Sequence, residues 1–232
     1  EIGEVGTENS TPEELEAFMN GFNAALEVQA PGTAGLSKIS VQSGTSHGGI
    51  VLADGSIAEV ALDLDTLETL SKIGRDRYGM AGAVQHGAST LPDAAFSNFP
   101  RLETAEIHLA TNFQTMMFDH IPAALRAEMY AWLDTNAKDE RKATDTDEQF
   151  YYKSRKKAIG PFKKQLWALP ADVRGTLGAA YDTKFTFLFE QLGIAGTRAI
   201  VEQFVTIPEQ HRPFPTGAST IVAAPDDADL SD

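Results

Sequence analysis

Residues 38–49 read KISVQSGTSHGG, and this stretch is the strongest indication of the fold in the sequence. Its first part, Lys38–Gln42, predicts a β-strand, and the strand ends at a small, polar loop that carries His47 and three glycines. The same succession returns at residues 81–90, AGAVQHGAST, where a strand over Met80–Gln85 runs into His86. A third run, AEIHLATNFQ at residues 105–114, predicts a strand over Ala105–Leu109.

The segments around these strands carry helical patterns. Thr11, Pro12 and Glu14 form a strong helix start, and apolar residues then recur at helical spacing. Asp65 is the predicted cap of a second helix, which we expect to stop near Gly74. Alternation of strands and helices predicts an α/β fold with a parallel sheet.

The pattern becomes entirely helical and rich in aromatic residues after about residue 123. We therefore predict three parts: the α/β part over 1–122, a helical C-terminal extension over 123–206, and a loop with an acidic tail over 207–232. The basic run KSRKKAIGPFKK, residues 153–164, predicts a solvated helix face. The first residues, EIGEVG, read as the inside of a strand, so we expect the chain to begin within a larger domain.

Composition narrows the class of protein. The chain has 232 residues, a net charge of −14 and no cysteine. Strong acidity argues against nucleic acid or an anionic membrane as partner, but a small phosphorylated substrate stays possible, because backbone amides and a metal supply local positive potential. A zinc ion would have to be held by histidine and carboxylate ligands. No apolar run is long enough to span a bilayer, and we expect a cytoplasmic protein.

The two His-Gly loops are the candidate site. A histidine at the carboxyl end of a strand can bind a divalent metal or can be merely structural, and two such loops in neighbouring βα units favour the metal. Residues 87–89 form either a tight turn or an anion-binding nest with a hydroxyl donor. Glu4 and Glu8 are either solvated carboxylates or a metal ligand and a mobile general base. His120 and His211 have no motif around them.

The motifs SGTSHGG, QHGAST and AEIHLATNFQ, in this order and preceded by EIGEVG, resemble the second half of the class II, metal-dependent fructose-bisphosphate and tagatose-bisphosphate aldolases. The resemblance covers about residues 1–118. It implies a TIM (β/α)8 barrel of which this chain supplies about the second half, strands 5 to 8. The N-terminal half of the barrel would be a further partner.

The resemblance also implies roles. His47 and His86 would bind the catalytic zinc (or another divalent metal), with Glu4 near an alternative metal position and Glu8 as the catalytic proton carrier. The third metal histidine and the catalytic aspartate would lie upstream of this chain. The implied substrate-binding residues are Gly48, Gly87, Ala88, Ser89, His108, Ala110 and Thr111. His108 stands where the family usually has asparagine. At Ala110, fructose-type enzymes commonly have aspartate, and tagatose-type enzymes often have alanine.

The implied activity is the reversible cleavage of a ketose 1,6-bisphosphate, fructose 1,6-bisphosphate first, into dihydroxyacetone phosphate and glyceraldehyde 3-phosphate through a zinc-stabilised enediolate. Tagatose bisphosphate or another phosphorylated ketose is an alternative substrate. An inactive aldolase-like scaffold or assembly protein is an alternative of a different class. We expect a homo-oligomer.

Overall fold

A computed structural model describes residue 2 and residues 8–45, 49–58 and 62–209. The chain belongs to the α/β class, with a small parallel sheet and a majority of helix. Its compact units are Glu1–Ala195 and Gly196–Asp232, whereas the sequence predicted boundaries at 122 and 206. No helix among the described residues is both long and apolar enough to cross a membrane.

The elements follow one another in a simple order. The strands are β1 (Ile39–Ser40), β2 (Ala83–Gln85) and β3 (Glu106–Ile107). The helices are α1 (Pro12–Gln29), α2 (Leu64–Tyr78), α3 (Asn98–Arg101), α4 (Thr111–His120), α5 (Ala123–Asn136), α6 (Asp147–Ser154), α7 (Lys156–Ile159), α8 (Lys163–Trp167), α9 (Ala171–Gln191) and α10 (Arg198–Phe204). Short 3-10 turns cover Ala88–Thr90, Asp93–Ala95 and Lys138–Glu140.

The predicted parallel sheet is confirmed, although its strands are shorter than predicted. The strands lie in the order β1-β2-β3, and both neighbouring pairs are parallel. Ile2 forms a further parallel bridge with Val41, directly after β1. All the carboxyl ends of the strands therefore point to one edge of the sheet, where the His-Gly motifs follow.

The start of α1 is confirmed. Thr11 accepts a hydrogen bond from the backbone of Glu14, and the Glu14 carboxylate accepts one from the Thr11 backbone, which completes a capping box. Leu15 and Met19 are buried against the sheet, whereas Phe18 of the predicted apolar face is 40% exposed. The buried stripe of α1 is thus narrower than the sequence pattern.

The bounds of α2 differ from the prediction at both ends. Asp63, not Asp65, is the N-cap, because its carboxylate accepts hydrogen bonds from the backbone and hydroxyl groups of Thr66. These hydrogen bonds hold the pKa of Asp63 below its usual value of 3.8. The helix passes Gly74, which is buried where it packs against Met80, and ends at Gly79 with a φ of 65°. A left-handed conformation of this kind costs glycine little.

Two apolar clusters form the core of the first unit. One lies between the sheet and helices α1 and α2, and it also takes in Phe96, Phe99 and Leu188 of α9. The other joins α4 to α8 around Phe118 and Phe150. Because α9 reaches the sheet cluster, the helical extension and the α/β part belong to one compact unit. In the second unit, α10 exposes Ile200 and Phe204.

Candidate functional site at the carboxyl edge of the sheet

His86 and His108 meet at the carboxyl edge of the sheet. Gln85 of β2 and Ile107 of β3 are register partners, so the residue that follows each strand lies beside its counterpart. The two imidazole rings are 4.3 Å apart between centroids and tilted by 41°. The backbone N–H of His108 donates to the carbonyl of Gln85 over 2.9 Å, which fixes this pairing.

Polar side chains tie the loop after β1 to His86. The buried amide of Gln85 accepts a hydrogen bond from Ser43 and donates to Thr45. The Thr45 hydroxyl also lies 2.8 Å from the carbonyl oxygen of His86. The loop stem that leads to the predicted ligand His47 is therefore held against β2. The residues Glu4, His47 and Gly48 themselves lie outside the described residues.

Residues 87–90 form a tight turn at the same edge. Gly87 has a φ of 66°, a conformation that other residues adopt only with strain, and it opens the 3-10 turn over Ala88–Thr90. Ser89 Oγ accepts a 2.8 Å hydrogen bond from the backbone N–H of Ala110, just before α4. The oxygen is then used as an acceptor, and its hydroxyl hydrogen can be donated to a ligand.

A cleft of about 780 Å³ opens beside this turn. It is bounded by the loop after β1, the turn after β2, helix α4 and the helices of the C-terminal extension. Its lining consists of Gly55, Ser56, Ile57, Ser89, Thr90, Leu91, Asn112, Thr115, Asp119, Tyr130, Asp147, Glu148, Tyr151, Tyr152 and Arg155. Among the described residues that were predicted as site residues, Ser89 lines the cleft, whereas His86 and His108 lie outside the lining.

Arg155 is the charged residue with the deepest burial in the described part of the chain, with 6% of its surface exposed. One guanidinium nitrogen donates to Thr115 Oγ1 over 2.6 Å, and the group packs on the ring of Tyr152 at 4.3 Å. Its Nε is buried without a hydrogen-bond partner among the described residues. Burial lowers the pKa of Arg155, and none of the described carboxylates forms an ion pair with it. A buried cation in this state is suited to an anionic ligand.

Local sequence explains how Arg155 reaches the cleft. Thr146 and Gln149 form a capping box that starts α6, and Arg155 follows the last residue of that helix. The side chain of Gln149 donates to the carbonyl of Val51 over 2.8 Å, and the Thr146 hydroxyl donates to the carbonyl of Ala53. These bonds dock α6 on the hairpin after β1, which shows an antiparallel bridge between Val51 and Ile57.

Asn112 supplies a hydrogen-bond acceptor in the lining of the same cleft. It lies in the first turn of α4, and its side-chain oxygen is buried with no hydrogen-bond partner among the described residues. The cleft therefore presents a cationic donor at Arg155, a hydroxyl donor at Ser89 and an acceptor at Asn112, and its lining also contains the carboxylates of Asp119, Asp147 and Glu148. A ligand that carries both an anionic group and hydroxyl groups would satisfy all three.

The other predicted site residues lie around the same edge. Glu8 is exposed on the segment that enters α1, two residues before Ser10, whose backbone N–H donates to the carbonyl of Gln42 over 2.8 Å. Ala110 is exposed and Thr111 is the first residue of α4. Ala88 is fully buried and lines no opening.

Of the metal ligands that the resemblance implies, His86 lies among the described residues. The described residues contain no group of three or more histidine and carboxylate side chains that could hold a metal. The paired imidazoles of His86 and His108 are nevertheless donors that zinc and similar ions favour. His47, the further ligand that the resemblance implies, lies outside the described residues.

Arg155 and Asn112 were missed by the sequence analysis, which placed residues 153–164 on a solvated face. A usable signal was nevertheless present. Arg155 lies three residues after Tyr152, the end of the aromatic run Phe150-Tyr151-Tyr152, and on a helix this spacing brings an arginine within reach of an aromatic ring on which its guanidinium can stack. No signal in the sequence showed that this residue would line a cleft with Ser89.

Comparison with known proteins adds no assignment, since no family model matches the chain and no curated protein is significantly similar to it.

Proposed function

We propose that this protein is a metal-dependent aldolase of the class II type, which reversibly cleaves fructose 1,6-bisphosphate into dihydroxyacetone phosphate and glyceraldehyde 3-phosphate. The observation that carries the proposal is the buried Arg155, which has no carboxylate partner and lines one cleft with Ser89. Ser89 is the residue to which the family resemblance assigns a phosphate contact. The sequence motif indicates Ser89 and the burial of the guanidinium indicates Arg155, and both residues line this cleft.

Phosphate binding follows from the donors in the cleft. The Nε–H of Arg155 and the hydroxyl of Ser89 would both donate to phosphate oxygens, and bonds of this charge-assisted kind are short and strong. Asn112 Oδ1 would accept a hydrogen bond from a sugar hydroxyl. The carboxylates of Asp119, Asp147 and Glu148 line the same cleft, and the charge-assisted bonds from Arg155 would have to outweigh their repulsion of the phosphate.

The barrel remains part of the proposal. Three parallel strands in sequential order, with Ile2 bridged in parallel on the outer side of β1, support four consecutive barrel strands. The Ser40 hydroxyl is buried with no hydrogen-bond partner among the described residues. In a complete barrel, the side chains of the remaining strands would also fill the interior, and one of them would give that hydroxyl a partner.

The reacting end of the substrate would lie at the two histidines. A bound divalent metal supplies Lewis-acid polarisation of the ketose carbonyl there. His86 would hold that metal together with His47, and Thr45 would position the loop that carries His47 through its bond to the His86 carbonyl. Glu8 would carry the proton at the adjacent carbon from its exposed segment beside β1.

The experiment is an aldol-cleavage assay on the full-length protein with fructose and tagatose 1,6-bisphosphates side by side, before and after removal of metal with EDTA. We expect cleavage that EDTA abolishes and zinc restores. A preference for the tagatose compound would correct the substrate and agree with Ala110. No cleavage of either compound by metal-loaded protein would favour the inactive scaffold instead.

A further inference from the structure

Glu106 and His108 form an arrangement that the proposed phosphate cleft does not use. Glu106 begins β3 and His108 directly follows that strand, where its N–H still pairs with Gln85, so the two side chains share one face of the sheet. A carboxylate oxygen of Glu106 contacts the Nε2 of His108, and its other oxygen contacts the ammonium of Lys38. The three side chains therefore form a continuous polar chain that ends at the imidazole ring beside His86.

The Glu106 carboxylate fixes the state of the His108 ring. One carboxylate oxygen of Glu106 contacts the ammonium of Lys38 and the other contacts His108 Nε2, and a carboxylate beside a cation accepts hydrogen bonds. His108 must then donate from Nε2, and in the neutral ring the lone pair lies on Nδ1. A metal-binding histidine typically donates its other ring N–H to a carboxylate in the same way, because this orients the ring and strengthens the donor nitrogen.

The neighbourhood of the ring is also suited to a metal. The His108 side chain is 48% exposed, so an ion can reach it from solvent. Its centroid lies 4.3 Å from that of His86, so the two imidazoles are close neighbours at this edge of the sheet. The Lys38 ammonium contacts the far side of Glu106 and compensates the charge of that carboxylate.

We propose that His108 is a metal ligand, which binds a divalent ion through Nδ1 together with His86, and that Glu106 is its positioning residue. This inference rests on the proposed function for the existence of a metal at this edge. It changes the role of His108, to which the family resemblance assigned a contact with substrate at a position usually held by asparagine. The ligand class is a borderline divalent ion such as Zn²⁺ or Co²⁺, for which imidazole is a favoured donor.

The test is binding of Co²⁺ to the metal-stripped full-length protein, measured by calorimetry and by visible absorption, which reports the ligands of cobalt directly. The variants are His86→Ala, His108→Ala, His108→Asn and Glu106→Gln. His120→Ala is the matched control, because His120 bonds only within α4, through its Nδ1 to the carbonyl of Met116. Circular dichroism establishes that each variant is folded.

We expect His108→Ala and His108→Asn to weaken Co²⁺ binding by more than about tenfold and to change the absorption spectrum, and Glu106→Gln to weaken it by about tenfold, as for other second-sphere partners. His120→Ala should bind as the parent does. If both His108 variants and Glu106→Gln bind Co²⁺ with the affinity and spectrum of the parent while His86→Ala does not, the inference is overturned and the proposed function stands. If the parent binds no Co²⁺, the metal site and the proposed function fail together.

Discussion

Replacing Arg155 with methionine should weaken ligand binding and leave the stability of the unliganded protein nearly unchanged. Methionine keeps an unbranched side chain out to about the position of the Arg155 Nε and removes the rest of the guanidinium with its charge. Truncation of one partner in a buried, hydrogen-bonded charge pair costs about 2–5 kcal/mol of binding. At about 1.4 kcal/mol per tenfold change, the dissociation constant for fructose 1,6-bisphosphate should rise at least roughly 30-fold.

The same replacement should leave the unliganded protein nearly as stable as before. It removes the 2.6 Å bond to Thr115 and the stacking on Tyr152 at 4.3 Å, which together contribute about 2–4 kcal/mol. It also removes the cost of a buried guanidinium that has no carboxylate partner, and this cost is of similar size. We therefore expect the free energy of unfolding to change by no more than about 1 kcal/mol, or roughly 2–4 °C in Tm.

The assay is calorimetric titration with inorganic phosphate and with fructose 1,6-bisphosphate, next to thermal melts with and without each ligand. Ligand should raise the Tm of the parent and not that of Arg155→Met, because a ligand stabilises only the state that binds it. Lys156→Met is the control, since Lys156 is the adjacent exposed cation. Parental affinity for both ligands in Arg155→Met would refute the assignment of the cleft as a phosphate site.

Three further changes test neighbouring parts of the account. His86→Ala should abolish EDTA-sensitive cleavage in a steady-state assay, and near-normal turnover would remove His86 from the metal site. Ser89→Ala should raise the KM for the bisphosphate by about tenfold with a smaller change in kcat, because a hydrogen bond to a charged group contributes about 1.5–3 kcal/mol; an unchanged KM would contradict the contact. Asp63→Ala should destabilise the protein by about 1 kcal/mol in urea unfolding at pH 7 through loss of the α2 cap. Since the folded pKa of Asp63 lies below its usual value, this difference should be full above about pH 4 and should vanish as the pH falls through the folded pKa; equal stability of variant and parent at pH 7 would rule out the cap.

Local signals were sufficient to predict much of the fold. The capping box at Thr11 and the three strand–loop motifs yielded α1 and the parallel sheet, because each depends on residues close together in sequence. The start of α2 was wrong by two residues, because Asp63 and Asp65 are both suitable caps and only the contact with Thr66 distinguishes them. Helix ends are commonly uncertain to this extent.

The candidate site was less predictable, since it depends on contacts between distant parts of the chain. Ser89 was predicted from its motif, whereas Arg155 lines the same cleft because α6 docks on the hairpin around Val51, about 98 residues earlier. The pairing of His86 with His108 needs the strand register, which the strand patterns alone do not determine. The chain of Lys38, Glu106 and His108 spans two strands that are not neighbours, and no sequence motif marks it.

The proposed metal-dependent aldolase activity is tested most directly by two measurements on the same purified full-length protein. These are its metal content and its EDTA-sensitive cleavage of fructose 1,6-bisphosphate. We expect about one divalent ion per chain and a cleavage rate that falls to background on chelation and returns when Zn²⁺ is added back. Cleavage that persists without metal, or metal-loaded protein that cleaves neither ketose bisphosphate, would contradict the account.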